Sequence, residues 1–358
     1  MTGYEASSQD TGDFDLSSEL DEEIRDSDVA TDGSELEHPF EYRSGAHGLT
    51  YRNPPNATWR SRIVSVSMRR VLRPALDRMP PDQRALGRLR TMTNGIGRAG
   101  ALETSGNWDN TGPVPGLWVG RHRFFTSDKL VFMLHGGGFT FGSPWSHKFL
   151  AARLARELGA PTILPDYRLA PEHQFPAAIE DAIASYEWIL GQGYSPENII
   201  FAGDSAGGNL ALQLTNHLVD AGEPTPAGVV LLSPWVDMNL ADMTSRDMER
   251  KDPFLAIGLV EKSRDLYAPG LDPDDPRISP VNLNFSSEWP PFLIQCGGAE
   301  IFAGGIELLH ERLVASGVDS TLQVWPDQFH VFQAFHPLIP EAVGALRNVG
   351  TFMRAKTD

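Results

Sequence analysis

The sequence contains a single cysteine, Cys296, among 358 residues. No disulfide can therefore form within the chain, and a reducing compartment is compatible with this composition. No apolar stretch approaches the roughly 20 residues that a membrane-spanning helix requires. The first residues also lack the basic n-region and the apolar h-region of a signal peptide. We therefore predict no signal peptide, no transmembrane segment and a cytoplasmic location.

Positive charge is also scarce, because 47 acidic residues face 30 basic ones and the net charge is −17. Residues 1–40 hold thirteen of the acidic residues against one arginine. Such a polar, acidic segment cannot bury enough apolar surface to fold, so we predict a disordered acidic tail over 1–40. The remaining residues are only mildly acidic, which argues against nucleic acid as a partner.

Residues 59–90 reverse this balance and contain nine arginines. Apolar residues from Val64 to Met79 recur at helical spacing, which predicts an amphipathic helix with a basic outer face and a bend at Pro74. Such a helix can lie on a membrane surface. We favour a cap helix with a solvated face, because a buried stripe of this width is ordinary, and assign 41–110 to N-terminal cap helices.

From residue 113 onward, apolar runs alternate with amphipathic segments, which predicts an α/β fold with a mostly parallel sheet and helices on both faces. The predicted strands are Leu130–Leu134, Pro161–Pro165, Ile199–Phe201, Val229–Leu232, Phe292–Gln295 and Thr321–Trp325. Two further edge strands are expected within 115–128. Residues 238–290 are too many for a simple crossover, so we predict a cap insertion there, within a catalytic domain over 111–358.

A serine stands between two glycines in the run Gly203-Asp204-Ser205-Ala206-Gly207, which joins an apolar run to a helical pattern. Strand, sharp turn and helix form the context of a nucleophile elbow. Side chains at either glycine would clash in such a tight turn. The hydroxyl of Ser205 would project above the sheet, with the amides at the start of the helix aimed at the reaction centre.

Three glycines directly follow the strand Leu130–Leu134, in the run His135-Gly136-Gly137-Gly138-Phe139. Acyl transfer passes through a tetrahedral oxyanion, which requires preorganised donors where the charge develops. The glycines allow backbone N–H groups to turn into a tight site without side chains in the way. The amide of Ala206, next to the nucleophile, would be the third donor.

A serine nucleophile needs a histidine base within hydrogen-bond reach. His217 and His310 follow the serine but lie within helical patterns. His330 lies just past the last predicted strand, in a loop at the carboxyl end of the sheet where sites in α/β proteins occur. His336 is the weaker alternative, so we predict that His330 is the base.

The base in turn needs an acid to orient it, and in this type of site the acid lies between serine and histidine along the chain. Glu300 fits this order, because it lies in a loop after the strand Phe292–Gln295. Asp327 lies on the same loop, three residues before His330, and is poorly placed to orient the far ring nitrogen. Asp319 belongs to the turn before the last predicted strand. We therefore favour Glu300.

Together these motifs resemble the hormone-sensitive lipase family of α/β-hydrolases, in its microbial esterase branch. The resemblance covers about residues 113–355 and rests on His135–Phe139, Asp166–Glu172, Gly203–Asn209, Ser233–Asp237, Gly297–Glu300 and the His330 loop. It implies an α/β-hydrolase fold with a helical cap, a Ser205, Glu300 and His330 triad, and an oxyanion hole of Gly137, Gly138 and Ala206. Glu300 stands where many members have aspartate.

The resemblance further implies hydrolysis of short- to medium-chain carboxylic esters, with a small apolar ester as the partner, no cofactor and no metal. A homodimer is compatible with such a fold. One alternative is a receptor-like binding module on the same scaffold, although such proteins tend to lose the catalytic histidine, and His330 is present. The other alternative is acyl transfer or amide cleavage by the same triad, which the sequence does not distinguish from ester hydrolysis.

Overall fold

The structure is a computed structural model. It describes residues 41–44, 49–52, 57–78, 83–99, 106–250 and 252–358. The acidic tail that we predict over 1–40 lies outside the described residues.

The described residues form one sheet of ten strands. The strands are β1 Glu41–Ser44, β2 Leu49–Arg52, β3 Gly106–Asp109, β4 Gly116–Val119, β5 Leu130–Leu134, β6 Thr162–Pro165, β7 Ile199–Asp204, β8 Gly228–Leu232, β9 Phe292–Gly297 and β10 Ser320–Trp325. Their order across the sheet is β1-β2-β10-β9-β8-β7-β5-β6-β4-β3. All neighbours from β2 to β6 in this order pair in parallel, while β1, β4 and β3 pair antiparallel at the two edges. The prediction of a mostly parallel α/β sheet is confirmed.

Helices cover both faces of this sheet. Those of the described residues are α1 Trp59–Ser67, α2 Arg73–Asp77, α3 Gln83–Ala99, α4 Lys148–Leu158, α5 Ala177–Gly191, α6 Ala206–Ala221, α7 Leu240–Arg250, α8 Ile257–Tyr267, α9 Ala303–Ala315 and α10 Pro340–Thr357. No helix in the described part of the chain has the length and apolar character needed to span a membrane.

The strand β5 shows how the core is divided. Phe132 packs into the layer formed with α5, α6 and α9, while Val131 and Met133 pack into the layer formed with α4 and α10. Successive side chains of a strand point to opposite faces, so a strand that is covered on both faces is mostly apolar along its whole length. All five residues of β5 are fully buried, as this arrangement requires.

The prediction of two edge strands within 115–128 is wrong in part. Only β4 lies in that range, and residues His122–Thr126 form a 3₁₀ turn instead of a strand. The other edge strand, β3, precedes β4 and pairs with it as an antiparallel hairpin. Such a hairpin needs only a short turn, and here Asp109 accepts a hydrogen bond from the backbone N–H of Thr111 inside it.

The N-terminal region contains strands as well as the expected helices, because β1, β2 and β3 fall within 41–110. Between α1 and α2, residues Met68–Leu72 form a π-helical turn, which ends two residues before Pro74. Proline lacks an N–H donor and disturbs the preceding turn of a helix, which accounts for the widening here. The wider turn changes the phase of the helix, and Val71, which the spacing assigns to the buried stripe, is 71% exposed.

Candidate active site

Ser205 lies at the sharp turn between β7 and α6. Its backbone has a φ of 52° and a ψ of −120°, a strained conformation for a residue with a side chain. The turn is held by its neighbours, because the N–H of Ser205 donates to Leu232 at 3.0 Å and its carbonyl accepts from Trp235 at 2.9 Å. Ala206 is the first residue of α6, so its N–H has no partner within the helix.

The two glycines that flank the turn are required by close backbone contacts. A Cβ atom at Gly203 would clash with the carbonyl oxygen of Gly207, and one at Gly207 would clash with the carbonyl oxygen of Leu134 in β5. Both obstacles are backbone atoms, which cannot rotate away as a side chain would. The steric requirement expected from the sequence is therefore present in the structure.

The glycine run after β5 turns back on itself beside Ser205. Gly137 and Gly138 have φ values of 120° and 57°, which favour glycine. The carbonyl of Gly137 accepts from the amides of Thr140 and Phe141 at 3.0 and 2.9 Å. Among the described residues, the amides of Gly137 and Gly138 donate to no protein acceptor. These two N–H groups are therefore available to a ligand beside Ser205.

Asp204, next to the nucleophile, connects this glycine run to the partly buried His147. Its carboxylate accepts from the amide of Gly136 and lies against Nε2 of His147, both at 3.1 Å. Burial by itself would raise the pKa of Asp204, but attraction to His147 and the hydrogen bonds hold it below its usual value. Burial by itself would lower the pKa of His147, but the charge and hydrogen bond of Asp204 raise it. The two groups form an ion pair beneath the glycine run.

His135, the first residue of the glycine motif, has a different role from His147. It is fully buried, and burial together with the charge of His147 lowers its pKa to about 3. Its ring stacks on Tyr167 with centroids 4.2 Å apart, and its carbonyl accepts from the Tyr167 hydroxyl at 2.5 Å. His135 is therefore a neutral packing residue that fixes the start of the glycine run.

His330 lies in the loop after β10, at the carboxyl end of the sheet. The next residue, Val331, has a φ of 50° and donates its backbone N–H to Oγ of Ser233 at 3.1 Å. The imidazole of His330 is buried against Phe302, whose ring meets it edge-on at 4.9 Å, and Phe254, whose ring lies parallel at 6.2 Å. The ring is thus held in one plane by aromatic neighbours from two different segments.

Glu300 lies behind His330, in the loop after β9. Its Oε2 is 3.4 Å from Nδ1 of His330, and both side chains are buried. This separation is longer than a normal hydrogen bond, and catalytic hydrogen bonds often shorten when substrate binds. Among the described residues, neither Glu300 oxygen has a hydrogen bond, and neither does Nδ1 of His330. The two side chains are therefore in ion-pair contact, with no other hydrogen bond to hold the carboxylate away from the ring.

The other residues considered from the sequence lie elsewhere. Asp319 is exposed and pairs with Lys356 at 2.8 Å. Asp327 is also exposed, with a φ of 58° at the turn. His310 contacts Ser320 at 2.9 Å, and burial lowers its pKa to about 4. His336 contacts the carbonyl of Phe149 at 3.2 Å, and its pKa is likewise lowered to about 4 by burial.

A cavity of about 310 Å³ opens at Ser205. Most of its wall is apolar, and residues of the segment 238–290 form one side of it. The lining residues include Gly137, Gly138, Phe141, Ser205, Trp235, Phe254, Leu255, Leu259, Val260, Phe302, His330 and Phe335. A concave, mostly apolar site with a few convergent polar groups is the usual form of a small-molecule site.

Two residues of this site were not predicted from the sequence. His147 has its partner, Asp204, 57 positions away along the chain. Asp252 is a buried carboxylate near Glu300 and His330. The dipeptide Asp252-Pro253 is the only local signal for it, and this dipeptide is common in ordinary turns. Within the described residues there is no group of three or more potential metal-ligating side chains.

Known proteins resemble this chain over most of the sheet and the site. A family model for the alpha/beta hydrolase fold matches residues 131–334, a range that includes Ser205, Glu300 and His330. An acetyl-hydrolase from Streptomyces hygroscopicus is 36% identical over 229 residues, which are 64% of this chain and 76% of that protein.

Solved structures show the same likeness. A crystal structure of EstE5 superimposes with a TM-score of 0.77 at 34% identity, covering 84% of this chain and 99% of that one. An esterase from the bacterial hormone-sensitive lipase family gives a TM-score of 0.76 at 32% identity, covering 85% of this chain and 100% of that one. The similarity therefore extends over nearly the whole of both of these structures.

Proposed function

The chain belongs to the hormone-sensitive lipase family of α/β-hydrolases and is an ester hydrolase, and we propose that it cleaves short- to medium-chain acyl esters through an acyl-enzyme on Ser205. The observation that carries the proposal is the convergence of four groups on one cavity. Ser205, His330 and the amides of Gly137 and Gly138 all lie at its wall, and Glu300 stands behind the histidine.

In the proposed reaction, the imidazole of His330 takes the proton of Ser205 while the serine oxygen attacks the ester carbonyl. The amides of Gly137, Gly138 and Ala206 stabilise the resulting oxyanion. The imidazolium then protonates the leaving alcohol, and the acyl group stays on the serine. Water, activated by the same histidine, repeats the sequence and releases the acid. Glu300 keeps the ring oriented and stabilises its positive charge.

The proposed substrate class follows from the cavity and from the relatives. Most of the wall is apolar, which suits an acyl chain, and a volume of about 310 Å³ admits only a small substrate. The relative from Streptomyces hygroscopicus is named an acetyl-hydrolase. We further propose that 41–110 and the insertion 238–290 act as a cap, because Thr93 and Leu259 from these segments line the cavity.

The first test replaces the proposed nucleophile. Ser205→Ala should lose at least about 10³-fold in kcat on p-nitrophenyl butyrate, because no acyl-enzyme can form. A fluorophosphonate probe should add its mass to the wild type and not to the variant. His217→Ala, which removes an exposed histidine on α6, is the control and should behave as wild type. Hydrolysis that survives in Ser205→Ala would reject the assignment of the nucleophile.

The second test concerns the size of the acyl group. Leu259 lines the cavity and is only 5% exposed, so Leu259→Ala enlarges the site. A series of p-nitrophenyl esters from acetate to dodecanoate should show a preference for short to medium chains in the wild type. The variant's preferred chain should be longer, since buried methylene groups gain about 0.8 kcal/mol each when space is available. An unchanged preference would place the acyl chain elsewhere.

A further inference from the structure

Asp252 is a buried carboxylate in the insertion 238–290, and the proposed mechanism does not use it. Its side chain has no exposed surface. One oxygen accepts from the amides of Phe254 and Leu255 at 2.7 and 3.1 Å. The other accepts from the amide of Ile301 at 3.2 Å. The carboxylate therefore joins the insertion to the residue that directly follows Glu300.

A second residue fixes the backbone at this position. Arg73, at the start of α2, donates through Nη1 to the carbonyl of Asp252 at 2.5 Å. Through Nη2 it also binds both carboxylate oxygens of Asp247 in α7, at 2.7 and 2.8 Å. Asp252 thus lies where the N-terminal region, the insertion and the loop of Glu300 meet.

The buried negative charge of Asp252 does not stabilise the folded state. Burial raises its pKa to about 6, and the Glu300 carboxylate adds to the rise, whereas His330 and the amides of Phe254 and Leu255 oppose it. A carboxylate with a raised pKa favours the folded state only while it is protonated, and it lowers stability as the pH rises through the raised value. A buried charge that costs stability in this way is often retained for function.

We propose that Asp252 is a positioning residue for the catalytic acid and base. It holds the Glu300–Ile301 peptide in place, and it places a second negative charge near the imidazolium that forms on His330. This inference rests on the proposed function, because it assumes that His330 is the base. It also makes the insertion part of the catalytic apparatus rather than only a wall of the acyl site.

The charged groups around this region come from several elements. Glu300 and Asp252 flank His330 from the β9 loop and the insertion, and Arg73 faces the Asp252 backbone from α2. On the far side of Glu300, a second cleft is lined by Asp242 and Arg246 of α7, Glu307 of α9 and Asp327. Arg246 pairs with Asp242 at 2.9 Å and lies 3.6 Å from Glu307, so this outer group is largely self-compensated. Apart from Glu300, Asp252 is therefore the carboxylate whose removal should weaken the stabilisation of an imidazolium on His330.

The test is the pH dependence of p-nitrophenyl butyrate hydrolysis by Asp252→Asn. Asparagine keeps an acceptor for the amides of Phe254 and Leu255 but removes the charge. With less stabilisation of the imidazolium, the acid limb of kcat/KM should move to lower pH by about one unit, and kcat on its plateau should fall about tenfold, since one pH unit corresponds to tenfold. The KM should change much less than kcat.

Asp265→Asn is the matched control. It removes an exposed carboxylate of the same insertion, which pairs with Arg264 at 2.8 Å. Its acid limb should stay at the wild-type pH. An Asp252→Asn enzyme with the wild-type profile would overturn the inference. A lower melting temperature and lower kcat with an unshifted acid limb would also overturn it, because that pattern indicates a structural role only.

The proposed function is tested separately in the same assay. If wild type is inactive, or Ser205→Ala stays active, the proposed mechanism fails whatever Asp252→Asn does. If Ser205→Ala is inactive and Asp252→Asn matches wild type, only the role of Asp252 is rejected.

Discussion

Replacing Glu300 with glutamine is the most informative perturbation of the proposed triad. The carboxylate lies 3.4 Å from Nδ1 of His330, and neither of its oxygens has a hydrogen bond among the described residues. At that distance, with an effective dielectric constant of about 20, attraction between a carboxylate and an imidazolium is about 5 kcal/mol. An energy of that size corresponds to a rate factor between about 10³ and 10⁴. Glutamine keeps a dipole toward the ring, so we expect a loss of about 10³-fold in kcat.

The assay is steady-state hydrolysis of p-nitrophenyl butyrate, with thermal unfolding measured on the same preparations. Removing a buried charge spares its desolvation cost, so Glu300→Gln should fold with a melting temperature equal to or above that of wild type. The activity loss then reports on chemistry and not on unfolding. Glu300→Asp should retain more activity than Glu300→Gln, because a triad accepts either carboxylate.

Asp327→Asn is the control, since Asp327 is the exposed acid on the loop of His330. It should leave kcat near the wild-type value. A Glu300→Gln enzyme within tenfold of wild type would refute the electrostatic argument. A large loss in Asp327→Asn with little loss in Glu300→Gln would transfer the role of the acid to Asp327.

Two further predictions concern the elbow and the ion pair beneath it. Gly207→Ala places a Cβ against the Leu134 carbonyl and should lower the free energy of unfolding by more than about 4 kcal/mol or prevent folding. Gly95→Ala in α3, which has open space around it, should raise the free energy of unfolding by about 0.5–1 kcal/mol. Urea unfolding of the two variants and the wild type measures both effects. His147 has a raised pKa in the folded state, so its pair with Asp204 stabilises the fold below the ordinary histidine value and loses this effect as pH rises through the raised pKa. His147→Gln should flatten that part of a stability–pH curve, and an unchanged slope would assign the pH dependence to another group.

The local parts of the fold were predictable because short segments encode them. The runs at β5 and β8 are apolar throughout, and β7 and β9 are mostly apolar and buried along their whole length, as strands covered on both faces tend to be. The prediction of edge strands within 115–128 failed at the hairpin of β3 and β4, where neither the length nor the composition of the segment decides which residues pair. Pairing there depends on contact with β6 at the edge of the finished sheet.

In the candidate site, too, some residues were predictable from local sequence and others were not. Ser205, Gly137 and Gly138 stand in motifs whose backbone geometry is set by their immediate neighbours, so the sequence alone predicted them as candidates. The choice of Glu300 over Asp327 was a prediction from chain order, and the structure brings Glu300 to His330 while Asp327 stays exposed. The roles of all these residues stay predictions until the variants are measured.

By itself, the sequence determined the α/β class, the elbow and the chain order of the candidate residues, because each depends on periodicity or on steric rules that act over a few positions. Only the tertiary structure decided which groups surround them. His147 meets Asp204 across 57 positions, and Asp252 meets Ile301 across 49. Such contacts arise when separate segments pack, and burial then sets the charge of each group and the shape of the cavity. No local pattern carries that information.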